Sequence, residues 1–406
     1  MNSYNDKNKD TWCVNAFHSL CGMNDGTTKF CCMYERDLPH IDYPRLGVTP
    51  IAEHENYHEY QEVREALLNG VKHSACRKCW QEEDSGRESK RTRDNKQYFS
   101  SGEQYDGIAK LELNLGNTCN IKCRTCHPST SSSWLKEYHK VYWPDEPYKK
   151  WIKDWDQFFK YYDDTSPFWD DVEKQLPKIK QFDFYGGEPF MSQKMWKLIN
   201  TARDKGYAKD IQLQYNTNST LWPDEQLECW KDFKHVYLSF SIDGIGKRFE
   251  FMRHPAKWDT CIENFEKAIA LRDKNKNMSL NWCITLSTLN VYYLPEVLEF
   301  FTRNYSDISV YLNLVHGPEH FNISRMPDEI KDTVKQRLND LKQNSWINDD
   351  VAGQVDGIIN FMYTKTAKED TWNTFLSALE LHDTYRKENY RETFPEFGKL
   401  INAKYF

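Results

Sequence analysis

The sequence predicts an α/β fold in which six strand–helix units form a partial (β/α)6 barrel. From residue 110 onward, short β-rich runs alternate with longer stretches whose apolar residues recur near a helical period. Parallel strands joined by right-handed helical crossovers produce this alternation. The predicted strands are Lys110–Gly116, Gln181–Gly186, Ile211–Asn216, Val236–Ile242, Ser279–Ser287 and Ile308–His316, and the predicted helices between them are Gln193–Lys205, Asp224–Phe233, Trp258–Lys274 and Leu294–Asn304.

The chain is expected to contain three regions. Residues 1–100 hold half of the cysteines and are predicted to form a cysteine-rich module. Residues 108–326 are predicted to form the barrel, with an aromatic, charged and helical insertion at 134–172 after the first strand. Residues 327–406 show no strand pattern and are predicted to form a helical C-terminal extension.

Composition narrows the class of protein. The 406 residues carry a formal net charge of -7, with 39% hydrophobic, 28% charged and 15% aromatic residues. This balance is typical of a folded globular protein and argues against general nucleic-acid binding, which uses a basic face. No apolar run is long enough to span a bilayer, and the first ten residues lack the apolar core of a signal peptide. We therefore expect a cytoplasmic protein with no membrane partner.

One local stretch departs from the acidic average. Five basic residues alternate with acidic ones, namely Arg87, Lys90, Arg91, Arg93 and Lys96. Mixed charges of this kind favour a solvated helix surface over a patch that binds substrate phosphate.

Cysteine spacing indicates metal binding. A reducing cytoplasm disfavours disulfides, so clustered thiols among the twelve cysteines predict metal ligands. Cys119, Cys123 and Cys126 directly follow the first predicted strand, and loops at the carboxyl ends of barrel strands carry the chemistry of such folds. A four-iron cluster normally takes four thiolates, so three can leave one iron open. The alternative is a tetrahedral zinc site completed by His127.

The spacing of three and then two residues in this trio resembles that of the radical S-adenosylmethionine (SAM) superfamily, whose fold is a TIM-like barrel. The resemblance implies that the amino and carboxylate groups of SAM chelate the open iron. An electron from the reduced [4Fe-4S] cluster then cleaves SAM to methionine and a 5′-deoxyadenosyl radical, which abstracts a substrate hydrogen. Thr125 departs from the pattern, because an aromatic residue often precedes the third cysteine.

Further segments resemble the same family in the same order. Tyr185-Gly186-Gly187-Glu188-Pro189 resembles its glycine-glycine-glutamate-proline turn, in which backbone oxygens and the glutamate hold the amino group of SAM. Small polar residues at the ends of the third and fourth predicted strands can hydrogen-bond to the ribose of SAM. The guanidinium of a following arginine can pair with the carboxylate of SAM. The cofactor-binding candidates implied by the resemblance are Gly186, Gly187, Glu188, Asn216, Ser241, Asp243 and Arg253.

The N-terminal cysteines form a second candidate metal site. Four of them, Cys13, Cys31, Cys76 and Cys79, resemble the first part of the SPASM/twitch auxiliary-cluster pattern of peptide-modifying radical SAM enzymes. Four thiolates saturate one auxiliary [4Fe-4S] cluster, as in the shorter twitch form. Here the module precedes the barrel, whereas in better-known relatives it follows it.

Alternatives remain for this second site. Cys32 can replace Cys31 as a ligand, Cys21 is a weaker candidate, and a structural zinc knuckle accommodates the same thiols. The scattered residues Cys229, Cys261 and Cys283 are expected to be buried and apolar in character.

The function implied by the resemblance is that of an oxidoreductase that modifies a peptide or protein side chain. Such an enzyme takes its electron from a donor such as flavodoxin or ferredoxin. A second reading keeps the radical chemistry and replaces the peptide by a nucleoside, sugar or small metabolite. A third is a metal-stabilised binding protein without catalysis. No residue stands out as a catalytic base or radical relay.

Overall fold

The computed structural model describes residues 4–35, 43–156 and 161–405. Parts of the predicted regions lie outside them: 1–3 and 36–42 of the N-terminal module, 157–160 of the insertion, and residue 406. The strands among the described residues are Ser19–Gly22 (β1), Thr28–Lys29 (β2), Lys110–Leu113 (β3), Gln181–Phe184 (β4), Gln212–Thr217 (β5), His235–Ser241 (β6), Met278–Leu286 (β7) and Ser309–Leu314 (β8).

The helices follow an α/β order and continue to the C-terminus. They are Val14–His18 (α1), His58–Leu68 (α2), Arg77–Asp84 (α3), Lys90–Ser101 (α4), Leu135–Tyr142 (α5), Tyr148–Asp156 (α6), Phe168–Gln175 (α7), Gln193–Asp204 (α8), Asp224–Leu227 (α9), Gly246–Met252 (α10), Trp258–Lys274 (α11), Leu294–Asn304 (α12), Asp328–Lys342 (α13), Asp349–Met362 (α14), Glu369–Arg386 (α15), Tyr390–Thr393 (α16) and Pro395–Tyr405 (α17). Across the described segments, no helix is both long and apolar enough to cross a membrane.

All eight strands form one mostly parallel sheet in the order β2-β1-β3-β4-β5-β6-β7-β8. Each of the six predicted strands is present, with ends that differ from the prediction by up to three residues. The sequence analysis did not predict β1 and β2. β1 pairs in parallel with β3, so the cysteine-rich N-terminal region contributes a strand to the same sheet.

Strand alternation gives the sheet two chemically different faces. One row of paired residues is apolar and buried: Leu20, Leu111, Phe182, Leu213, Val236 and Met278. The next row is more polar: Cys21, Glu112, Asp183, Gln214, Tyr237 and Ser279. Helices cover the apolar face, where Phe265 of α11 and Phe301 of α12 pack edge-on against Trp282 of β7.

Helix α4 lies against the polar face. Lys90 Nζ is 2.9 Å from Glu112 Oε1, and Lys110 Nζ is 3.0 Å from Asp183 Oδ2. Asp94 Oδ2 joins the two pairs, at 3.0 Å from Lys90 Nζ and 3.1 Å from Lys110 Nζ. These ion pairs are almost fully buried and attach the N-terminal region to β3 and β4.

The prediction of a solvated helix surface for the basic stretch is therefore wrong. Arg87, Lys90 and Arg91 are buried, whereas Lys96 is exposed. Arg91 pairs with Glu83 of α3, and Arg87 donates to the backbone oxygen of Leu312 on β8. Charge alternation alone cannot reveal such burial, because most of the partners come from distant strands.

Replacement of Asp94 by asparagine should lower the free energy of unfolding by about 3–5 kcal/mol, because it removes one partner from a buried ion network. Burial acts to raise the pKa of Asp94, but Lys110, Lys90 and Arg93, together with a hydrogen bond from Asn15, hold it far below its usual range. A carboxylate with a depressed pKa stabilises the fold above its unfolded pKa of about 4, and this contribution is lost at lower pH. Urea denaturation at pH 7 and at pH 3 should therefore show a difference between Asp94→Asn and the wild type that shrinks in acid.

Asp106→Asn provides the matched control for this experiment. Asp106 pairs with Lys178 at 2.9 Å on the exposed surface, where an ion pair contributes little. The control should unfold like the wild type. Equal stabilities of Asp94→Asn and Asp106→Asn at pH 7 would show that the network does not attach α4.

Candidate functional site

The trio of cysteines lies in a loop that begins where β3 ends. Cys119 and Cys123 are buried, and Cys126 is exposed. The backbone N–H groups of Lys122 and Arg124 donate to the oxygens of His254 and Met252 at 2.7 and 2.8 Å. These bonds attach the loop to the segment that follows β6. We call residues 117–132 the cluster loop, since Ser132 N–H closes it on the oxygen of Asn117 at 2.7 Å.

Two side chains from outside the cluster loop, one just after β5 and one just after α10, approach the sulfurs. Asn218 Nδ2 lies 3.7 Å from Cys119 Sγ, and Arg253 Nη1 lies 3.8 Å from Cys123 Sγ. N–H groups directed at sulfur stabilise metal-bound thiolates and tune iron–sulfur clusters. Asn218 is a site residue that the sequence analysis missed, because the neighbouring Asn216 was chosen from the same Asn-Thr-Asn segment.

The donor set of the trio fits an iron–sulfur cluster. Burial raises the pKa of the Cys119 thiol to about 11, and a bound metal would stabilise its thiolate. Cys123 shares a hydrogen bond with Cys126, which lowers the pKa of Cys126. Within the described ranges, no three His, Cys, Asp or Glu side chains already surround a common metal position. The trio is therefore a candidate by its chemistry and its common loop.

The glycine turn after β4 packs directly on the cluster loop. Gly187 has a φ of 59°, and a Cβ placed on it would lie 2.4 Å from the backbone oxygen of Thr118. Gly187 N–H donates to the oxygen of Thr130 at 2.9 Å, and Glu188 N–H donates to that of Thr118 at 2.8 Å. The close approach requires glycine, so this turn and the start of the cluster loop form one unit.

The Glu188 carboxylate is engaged within the protein. It accepts from Thr217 Oγ1 at 2.9 Å, from Asn218 N at 2.7 Å and from Phe190 N at 3.2 Å. Burial raises its pKa to about 7 despite these hydrogen bonds. Glu188 thereby joins the turn after β4 to the end of β5, and the expected contact of this carboxylate with an amino group stays a prediction.

Asp243 and Arg253 form one buried ion pair rather than two separate positions. Arg253 Nη2 lies 2.7 Å from Asp243 Oδ2, and Asp243 Oδ1 accepts from Thr285 N at 2.8 Å. Since Arg253 also reaches Cys123, the pair lies directly beside the cluster loop. Asn216 is exposed on β5 and Ser241 is half-buried on β6, and both lie at the carboxyl ends of their strands.

The four predicted N-terminal ligands are buried or half-buried thiols that influence one another electrostatically. Burial raises the pKa of the Cys76 thiol, and the nearby Cys13 and Cys79 raise it further. Burial likewise raises the pKa of Cys31, with Glu112, Cys32, Cys13 and Cys79 acting in the same direction. Cys13 and Cys79 thus act electrostatically on both Cys31 and Cys76, and joint ligation of one metal by the four thiols stays a prediction.

Cys32 is directed differently. Its backbone N–H donates to Glu112 Oε2 at 2.8 Å. Burial raises the pKa of its thiol, and the charged groups that act on it include Glu112, Lys90 and Cys21, with neither Cys76 nor Cys79 among the leading ones. Cys13 and Cys79 therefore act on Cys31 but are not among the leading groups that act on Cys32, and the choice between the two ligands stays a prediction.

A second missed residue is Arg124, which lies between Cys123 and Cys126 in the sequence. Its buried guanidinium pairs with Asp383 and Glu388. A sequence shows the arginine but gives no signal for partners more than 250 positions away.

Comparison with known proteins supports the domain around the trio. Residues 113–281 match the family described as the Radical SAM superfamily. The matched span contains the cluster loop, the glycine turn and the Asp243–Arg253 pair, and it excludes the N-terminal cysteines. No curated protein matches the chain.

Several solved structures are similar over part of the chain. One is titled native anSMEcpe with bound AdoMet, at 16% identity and a TM-score of 0.36, covering 57% of this chain and 59% of that chain. A second is SuiB of Streptococcus suis bound to precursor peptide SuiA, at 11% identity and a TM-score of 0.34, covering 61% of this chain and 49% of that chain. A third is the methyltransferase TsrM from Kitasatospora setae with cobalamin and a [4Fe-4S] cluster bound, at 11% identity and a TM-score of 0.33, covering 54% of this chain and 35% of that chain. The alignments thus span less than two thirds of each of these proteins.

Replacement of Gly187 by alanine should reduce the iron bound after anaerobic reconstitution, because the new Cβ must displace the Thr118 carbonyl next to Cys119. Gly206→Ala is the matched control, since Gly206 has a φ of 82° but nothing within 4 Å of an added Cβ. Both variants incur a left-handed backbone strain of about 1–2 kcal/mol. Only Gly187→Ala should lose iron, and equal iron contents in the two variants would contradict the packing of the turn on the cluster loop.

Proposed function

We propose that this chain is a radical SAM enzyme in which Cys119, Cys123 and Cys126 hold a [4Fe-4S] cluster with one iron open to SAM. The match of residues 113–281 to the Radical SAM superfamily supports this proposal. The observation that carries the proposal is the arrangement of three thiols on one loop, with N–H donors from Asn218 and Arg253 directed at two of them. When bound, the cluster and SAM supply reductive cleavage to a 5′-deoxyadenosyl radical that abstracts hydrogen from the substrate.

Different residues around the cluster loop are proposed to bind different parts of SAM. The tight turn at Gly186 and Gly187 brings backbone oxygens close to the cluster loop, where they can accept from the amino group. Asn216 and Ser241 are accessible at the ends of β5 and β6 and suit the ribose hydroxyls. Arg253, which is paired with Asp243, has the charge that a carboxylate requires.

We propose an open iron at the trio rather than a zinc site closed by His127. Nδ1 of His127 lies 3.3 Å from Ser129 Oγ, and its ring packs edge-on against Tyr138 of α5.

We further propose that Cys13, Cys31, Cys76 and Cys79 hold one auxiliary [4Fe-4S] cluster in a twitch-like module, residues 1–100, beside a partial (β/α)6 barrel. The electrostatic effects of Cys13 and Cys79 on the other two thiols support this proposal. Burial raises the pKa of Cys13 and Cys76, and Arg91 contributes because its positive charge partly opposes that rise. Positive charge of this kind favours metal-bound thiolates.

The proposed substrate is a peptide or protein side chain, and the proposed electron donor is a flavodoxin or ferredoxin. Auxiliary clusters of the SPASM/twitch type accompany peptide modification in the family that the sequence resembles. SuiB, named above, is bound to a precursor peptide in its own structure.

Anaerobic wild-type protein incubated with SAM and dithionite should release 5′-deoxyadenosine, measured by liquid chromatography. Cys123→Ala should abolish the product, because the cluster loses one of its three ligands. Cys229→Ala is the control, since Cys229 is equally buried but lies far from the trio in sequence, in a turn after α9. Wild-type protein that carries iron on the trio and leaves SAM intact would refute the proposed activity.

Iron analysis tests the auxiliary site separately. Two clusters predict about eight irons per chain. The double variant Cys76→Ala/Cys79→Ala should keep about four irons and the 5′-deoxyadenosine activity without added peptide. Cys32→Ala should keep about eight, whereas Cys31→Ala should resemble the double variant. Zinc in place of the missing iron would indicate a structural knuckle.

A further inference from the structure

The C-terminal extension contacts the cluster loop through Arg124. The guanidinium pairs with Asp383 on α15 and, at 2.7 Å, with Glu388 just beyond the helix. Its Nε donates to the backbone oxygen of Phe251 at 3.3 Å, and its Cζ lies 3.6 Å from the centre of the Phe251 ring. Only 2% of the Arg124 side chain is exposed, so its charge is balanced almost entirely by carboxylates of the extension.

A second set of contacts holds the neighbouring residue of the loop. Glu137 on α5 is fully buried and lies 2.6 Å from Lys122 Nζ, 2.7 Å from His382 Nδ1 and 2.8 Å from Arg386 Nε. Arg386 Nη2 also donates to the backbone oxygen of Lys122 at 2.9 Å. Helix α15 thus binds the loop through both a side-chain network and the main chain.

Glu388 closes the arrangement on the other side of the loop. Its Oε1 lies 2.6 Å from His254 Nδ1, while the backbone oxygen of His254 accepts from Lys122 N–H at 2.7 Å. Asp383 in turn accepts from the N–H of Tyr390 at 2.6 Å, which fixes the turn between α15 and α16. We call Asp383, Arg386 and Glu388 the clamp.

The charges of the clamp matter for a redox centre. Reduction adds one negative charge to a cluster, so an uncompensated cation nearby favours the reduced state and an uncompensated anion disfavours it. Arg124 lies between two cluster ligands and is shielded from solvent, where charges interact more strongly than in water. The carboxylates of the clamp therefore balance the one buried cation that the loop itself carries at this point.

We propose that the clamp is a positioning and charge-balancing device that sets the reduction potential of the cluster on Cys119, Cys123 and Cys126. This inference rests on the proposed function, because it requires a cluster on that loop. It gives the last eighty residues a role that no motif in them indicates. Asp383 and Glu388 act through Arg124 and are positioning residues rather than catalytic ones.

The test compares variants that change the local charge in opposite directions. Asp383→Asn leaves Arg124 partly uncompensated and should raise the potential, whereas Arg124→Gln leaves both carboxylates uncompensated and should lower it. At the potential where half of the wild-type cluster is reduced, each change should alter the ratio of reduced to oxidised cluster by about tenfold. The double variant should return towards the wild type.

The measurement is a redox titration of the whole protein at pH 8, followed by electron paramagnetic resonance of the cluster whose signal changes when SAM is added. Glu380→Gln is the control, since it removes a carboxylate of the same helix that pairs at 3.3 Å with an exposed arginine. It should leave the potential unchanged. Where Asp383→Asn fails to retain iron, Glu388→Gln gives the same upward shift with one contact intact.

The outcomes separate the two proposals. Wild-type protein without a SAM-responsive signal overturns the proposed function and the clamp together. A SAM-responsive signal in the wild type, with equal potentials in Arg124→Gln and Asp383→Asn, overturns the clamp alone. Shifts of the same sign in both variants also overturn it, since general damage to the loop has no reason to follow the sign of the charge.

Discussion

Parallel pairing of β3 with β4 is the constraint on which the site depends. It brings the carboxyl ends of the two strands together. The cluster loop follows β3, and the glycine turn follows β4. Two backbone hydrogen bonds then join the glycine turn to the cluster loop, from Gly187 to Thr130 and from Glu188 to Thr118. Glu188 extends the connection to β5 through Thr217 and Asn218. Asn218, which approaches Cys119, is thereby positioned by a carboxylate that itself remains buried.

Local patterns in the sequence were sufficient for much of this architecture. The strands from Lys110 to Leu314 follow from runs of β-forming residues, and the trio follows from spacing within a single loop. Strand β1 was not predicted because four residues, Ser19–Gly22, carry no alternation long enough to recognise. Its parallel partner β3 begins some ninety positions later.

The remaining misses share one physical cause, which is compensation of charge over long sequence distances. The sequence around Lys90 suggests a solvated lysine, whereas in the structure Lys90 pairs with Glu112 of β3. The sequence likewise gives no sign that Arg124 pairs with Asp383. A buried ion pair is specified by both partners, whereas a sequence shows each charge alone. The two terminal regions therefore hold the central domain by similar means, α4 on the polar face of the sheet and α15 at the cluster loop.

Direct contact between an iron of the cluster and the cofactor is the central claim. Electron–nuclear double resonance on the reduced protein, with SAM labelled by nitrogen-15 in its amino group, measures that contact. An iron left open by the trio predicts a hyperfine coupling from the label, and the coupling should vanish when the cofactor is omitted. A saturated complex with a reduced cluster and no nitrogen coupling would contradict the proposed site.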